Sequence, residues 1–143
     1  MSGAARGRDW LAANLPHQHA MSLLDAIVDW DDAGLRAVAT SHRSTANPLR
    51  RSGELPVASA IEYAAQAAAA HGALRSAAPS GPGMLVAVRG VEFHATRLDD
   101  VAGDLAIAVE PLGGAESGVI YRFEVSSAGR VLATGRLTVA FAR

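Results

Sequence analysis

Glu62 is the residue that most needs a chemical reason. Between Pro56 and Gly72 the chain is almost all alanine, isoleucine and valine, apart from Ser59, Glu62, Tyr63, Gln66 and His71. Moving a carboxylate out of water is costly unless it is hydrogen-bonded, paired or protonated. Glu62 is therefore either tied down by its neighbours or kept for proton transfer. Burial raises a carboxyl pKa and suits it to act as an acid near neutral pH. The chain's histidines are His17, His19, His42, His71 and His94. Gln66 falls one helical turn after Glu62, on the same face, where it orients the carboxylate, bonds across a subunit interface or simply packs. His71 is nearly three turns on, too far for a dyad within one chain. The histidines and acids show no H-E-x-x-H spacing, so no metal is expected. Ser52 and Ser59 lack the context of a nucleophile elbow.

The element that carries Glu62 reads as a long buried helix. Pro56 suits a first helical turn, and no glycine or proline follows until Gly72. Being apolar nearly all round, such a helix belongs inside a core. Before it, residues 1–8 are small and polar and are expected to be disordered. Trp10, Leu11 and Leu15 form a short helix ending before Pro16. Met21 to Trp30, a turn at Asp31, Asp32 and Gly34, and Leu35 to Ser41 read as a hairpin. His42 to Leu55 is a long loop of the kind that tends to be functional, and Asn47 within it either holds a turn or contacts a ligand. From Met84 the pattern alternates with period two, Tyr121, Phe123 and Val125 against Arg122 and Glu124, giving four strands. Turns at 98–103, 113–118 and 126–130 suggest a meander. An antiparallel sheet can bury a helix that is apolar all round only by curling about it, an α+β arrangement.

Composition narrows the function classes. At 143 residues one domain spanning 1–143 is expected. The net charge is −1 and the arginines form no run, which argues against nucleic acid. Absence of cysteine excludes disulfides and thiolate zinc sites. MSGAARGRDW lacks a signal-peptide run, and Glu62, Gln66 and His71 interrupt the helix as a membrane span, so a soluble cytoplasmic protein is expected.

A sheet wrapped around one helix is the hotdog fold, and several stretches resemble one hotdog family. LPHQHAMSLLDAIVDWD, LPVASAIEYAAQ, VEFHATRLDDVAGDLAIAVEP and AGRVLATGRLTVA resemble the beta-hydroxyacyl-acyl-carrier-protein dehydratases of type II fatty-acid synthesis. The likeness is closer still to their relatives in aryl-polyene pigment clusters. The resemblance implies a hotdog dimer, homodimeric or heterodimeric, without cofactor. Its substrate would be a 3-hydroxyacyl thioester on the phosphopantetheine arm of an acyl carrier protein, and its product a trans-2-enoyl thioester. Glu62 matches the family's helix glutamate, which works with a histidine across the dimer interface. His17 lies in the segment that lines the family's substrate mouth and is the expected base, with His19 and His42 behind it. Pro56, Val57, Asn47 and Gln66 are the expected substrate contacts. Main-chain N–H groups from Pro56 to Ser59 are suited to the thioester oxygen. Arg50 and Arg51 either meet the arm's phosphate or solvate a loop. The sequence departs from the fatty-acid enzymes' His-Phe-Pro-x-x-Pro-x-x-Pro-Gly motif, having Pro48 at the histidine and Val57 at the final glycine. That departure keeps open a non-catalytic subunit of a heterodimeric dehydratase, and the acid on the central helix, which hotdog thioesterases share, keeps open an acyl thioesterase.

Overall fold

The computed structural model describes residues 5–15, 22–75, 83–115 and 118–141. Its elements are α1 (Arg8–Asn14), β1 (Ala26–Asp31), β2 (Gly34–Ala39), α2 (Ala60–Arg75), β3 (Gly83–Phe93), β4 (Leu105–Ala115), β5 (Gly118–Ser127) and β6 (Arg130–Phe141). The strands form one antiparallel sheet in the order β1-β2-β4-β5-β6-β3. Alternation along each strand sends Leu105, Ile107 and Val109 of β4, Tyr121, Phe123 and Val125 of β5, and Leu137 and Val139 of β6 to the inner face, where all are buried. α2 lies against that face and buries Ala60, Tyr63 and every residue from Ala64 to His71. Its alanines let the helix approach closely. A Cβ on Gly72 would lie 2.1 Å from the Phe141 ring, so the aromatic ring of β6 rests on the helix backbone itself.

The first hairpin follows the sequence pattern. Asp31 pairs with Gly34 in the ladder, and the Asp31 carboxylate accepts the Ala33 N–H at 2.8 Å to shape the turn. Residues 1–4 lie outside the described part of the chain. Arg6 makes a two-way main-chain bridge to Ile27, of 3.0 and 2.7 Å, and Arg8 opens α1. The helix begins at Pro56 as expected, first as a 3-10 turn over Val57–Ser59 and then as α2.

The strand order corrects the expected meander. Of the last four strands only β4, β5 and β6 are sequential neighbours, while β3 pairs with β6 and β4 returns to β2 through Ala39 and Leu105. The cause is hydrogen bonding in the connection between β3 and β4. Leu98 N–H donates to Leu55 O at 2.8 Å and Val57 N–H to Thr96 O at 3.2 Å, so this segment crosses over the start of α2 and cannot close a tight turn.

Candidate active site

The crossing segment and the loop before α2 build the polar end of an otherwise apolar helix. Asp99 acts as the clasp. Its Oδ1 accepts the Leu55 N–H at 2.8 Å and the Arg97 Nε–H at 3.0 Å, and Arg97 also pairs with Glu54. The Arg97 guanidinium, helped by the Leu55 N–H, holds the Asp99 carboxyl well below the usual carboxylate range. Beneath the loop, Tyr63 is fully buried, and its hydroxyl meets Ser41 Oγ at 2.7 Å and Asn47 Nδ2 at 3.2 Å. Ser41 donates onward to Leu23 O at 2.8 Å, so Tyr63 donates to Ser41 and accepts from Asn47. Burial pushes the Tyr63 phenol above its ordinary pKa.

Asn47 spends its remaining groups inside the loop, donating to Ser41 O at 3.0 Å and accepting the Leu49 N–H at 2.9 Å. It fastens the loop onto α2, one of the two roles anticipated for it. Gln66 is buried, and its Oε1 accepts the Leu23 N–H at 3.0 Å. It ties the chain that leads into β1 onto the helix, one turn from Glu62.

Glu62 differs from the expected fully buried carboxylate. It is half-buried, because the continuous buried run of α2 begins one residue later at Tyr63. Among the described residues no hydrogen bond or ion pair meets its carboxylate. Of the N–H groups expected to be available at the helix start, Val57 donates to Thr96 O and Ser59 to Pro56 O at 3.0 Å. Pro56 has none to give. Ala58 remains, exposed and without a main-chain acceptor among the described residues, one turn before Glu62 on the same side of the helix. A carboxylate and a main-chain donor near a helix N-terminus form a site for acid–base work beside developing negative charge.

The described histidines stand elsewhere. His42 is buried, with Nε2 shared between Val101 O at 3.1 Å and Gly103 O at 2.9 Å, and burial pushes its pKa down. Its Nδ1 has no partner. His71 is buried at the far end of α2, with Nε2 on Asp31 O at 2.7 Å and Nδ1 on the Tyr121 hydroxyl at 2.9 Å. Burial lowers the His71 pKa and pushes Tyr121 up to about 12. His94 is exposed just past β3. His17 and His19 lie outside the described residues. Pro48 is exposed in the loop. Arg50 and Arg51 use their guanidinium groups on loop carbonyls, Arg50 reaching Ser44 O at 2.8 Å and Gly53 O at 2.7 Å, and Arg51 reaching Arg50 O at 3.0 Å. Among the described residues no cluster of three or more metal-ligating side chains occurs, and no helix is long and apolar enough to cross a membrane. Sequence reasoning passed over Tyr63 and the Arg97–Asp99 clasp. A tyrosine in an alanine helix was the available signal, since a buried phenol requires a partner.

A six-stranded antiparallel sheet laid around one long helix places the chain among the hotdog proteins. Within them, the model of the ApeP-like family, described as ApeP dehydratase, matches residues 10–142, and the chain belongs to that dehydratase family. A similar solved structure is the dehydratase heterocomplex ApeI:P from Xenorhabdus doucetiae, at 29% identity and TM-score 0.81, covering 93% of this chain and 91% of that one. AziG from S. sahachiroi, at 19% identity and TM-score 0.62, covers 86% of this chain and 93% of its own. A mutant of thioesterase PA1618 from Pseudomonas aeruginosa, at 14% identity and TM-score 0.66, covers 98% of this chain and 99% of its own. These last two show the fold alone. No curated protein sequence matches the chain.

Proposed function

We propose that the chain is a hydro-lyase acting on 3-hydroxyacyl groups held as thioesters on the phosphopantetheine arm of an acyl carrier protein. The observation that carries this reading is the unpartnered Glu62 carboxylate, four residues after the free Ala58 N–H at the helix start, in a member of a dehydratase family. In the proposed step a base removes the α proton and the electron pair passes toward the thioester oxygen, which Ala58 N–H stabilises. The enolate then collapses to the trans-2 double bond as the C–O bond at the β carbon breaks. Glu62 gives its proton to the departing hydroxyl, and water leaves. His17 is the proposed base, because Leu23, six residues on in sequence, is bonded to Gln66, one turn from Glu62. Pro56 and Val57, at the mouth of the helix, are the proposed contacts for the acyl thioester.

Purified protein supplied with a 3-hydroxyacyl carrier protein is expected to form enoyl thioester reversibly, and Glu62→Gln to slow it by orders of magnitude. Wild-type turnover in that variant would sink the assignment. Release of free thiol instead of enoyl product would identify a thioesterase.

A second reading places the base in a partner subunit. It is favoured because His42 and His71 are held by internal bonds, and because the ApeI:P relative is a heterocomplex. β3 offers the docking edge. It pairs with β6 on one side only, and Met84, Val86 and Val88 are exposed along it. Full activity of this chain by itself, with no second kind of subunit, would end that reading.

A further inference from the structure

A row of side chains crosses the outer face of the sheet with its charges out of balance. In register, Glu110 of β4 stands opposite Arg122 of β5, Arg122 opposite Arg136 of β6, and Arg136 opposite Arg89 of β3. Glu110 neutralises Arg122 at 2.8 Å. Arg136 and Arg89 have no ion pair or hydrogen bond among the described residues, and Glu92 on the same strand bonds to neither. Every other arginine among the described residues reaches a carboxylate or a carbonyl. Like charges directly opposite each other on neighbouring strands destabilise a sheet, so this pair costs stability as it stands.

The local backbone sets the end of Arg136 against β3. β3 bulges between Arg89 and Glu92, and within the bulge Gly90 has a φ of +59°, a conformation that favours glycine. Arg136 Nη2 lies 3.9 Å from where a Gly90 Cβ would be, so the end of Arg136 rests over the residue that follows Arg89. The groove under them measures about 430 Å³ and is lined by Ala87, Arg89, Ile120, Arg136, Leu137 and Thr138. It combines two uncompensated planar donors and a hydroxyl with short aliphatic walls.

We infer that this groove binds a phosphate ester, with Arg89 and Arg136 forking onto the phosphate oxygens and the organic part lying along Ala87 and Ile120. Paired guanidinium forks match the spread of oxygens on a single phosphate and supply charge-assisted bonds that one cation cannot. Strand pairing at the open edge of β3 would use main-chain groups in the plane of the sheet, leaving this outer face accessible. The ester is either the carrier's prosthetic arm, in which case the inference rests on the function proposed above, or a free phosphorylated small molecule.

The test is calorimetric titration of the whole chain at low salt with 4′-phosphopantetheine and, separately, with inorganic phosphate. Saturable binding of phosphopantetheine is expected, weakened about tenfold or more in Arg89→Gln/Arg136→Gln. Without ligand the double variant should melt above wild type, because the repulsion is gone, and its melting temperature should no longer respond to phosphate. Tighter binding of phosphopantetheine than of inorganic phosphate assigns the groove to the arm, and equal binding assigns it to a free phosphorylated molecule. No saturable binding of either probe, or binding unchanged in the double variant, overturns the inference. The titrations contain no acyl substrate. Failed dehydration with intact phosphate binding therefore counts against the enzyme assignment alone, and the reverse result against the groove alone.

Discussion

The two ends of α2 treat their polar residues in opposite ways. At the C-terminal end His71 is buried and both ring nitrogens are engaged, one by a main-chain carbonyl of the first hairpin and the other by Tyr121 of β5. At the N-terminal end Tyr63, Asn47 and Gln66 are likewise satisfied, yet Glu62 in their midst is half-buried and bonded to nothing among the described residues. Interior polar groups are nearly always paired, so the satisfied set reads as architecture. Of these four side chains Glu62 alone is left open, as its proposed role requires.

The largest expected effect separates these roles. Glu62→Gln should lower dehydration by about 10²–10⁴-fold, the usual range for removing a general acid, with little change in melting temperature. A large loss of stability in that variant would make Glu62 architectural and erase the contrast. His71→Leu should do the reverse, costing about 2–5 kcal/mol in urea unfolding by leaving Asp31 O and the Tyr121 hydroxyl unpaired. Tyr63→Phe should cost about 1–3 kcal/mol, since the Asn47 amide loses its acceptor and Ser41 its donor.

The smallest effect is a pH dependence. His42 and His71 have pKa values depressed below 6.5 by burial, so the unfolded chain takes up protons before the folded one does. Their contribution to stability is complete above about pH 6.5 and is lost as pH falls through the depressed folded values. Melting temperature should therefore be flat near pH 7–8 and decline toward pH 5, with a shallower decline in His71→Leu. A profile unchanged by that substitution would show that His71 does not titrate with unfolding.

Much of this contrast was legible in the sequence, and the illegible part has physical causes. Pro56 and the unbroken run to Gly72 marked the helix, the Asp31–Gly34 turn marked the first hairpin, and period-two alternation marked β4, β5 and β6. Alternation says which face a residue takes and nothing about which strand lies beside it, so the pairing of β3 with β6 was hidden. The exposure of Glu62 depends on where the sheet stops covering the helix, which composition does not encode. The Asp99 clasp joins residues distant in sequence through a main-chain N–H, a group that every residue but proline possesses. Glu62 itself could be singled out because a carboxylate among alanines is visible from composition alone.

The return of β4 to β2 also sets an order of assembly. Pairing Ala39 with Leu105 encloses the long loop, α2 and β3, whereas β4, β5 and β6 are joined by short turns. Closing the larger ring costs only modestly more entropy, but contacts of such separation slow a chain's folding. The three-stranded meander should therefore form first, with β2 and β3 joining its two sides later. Until they arrive, the β4 and β6 edges present unpaired main-chain groups next to the inner-face side chains that α2 will cover. Refolding yield should accordingly fall with protein concentration, and the loss should arise during that interval before the outer strands dock.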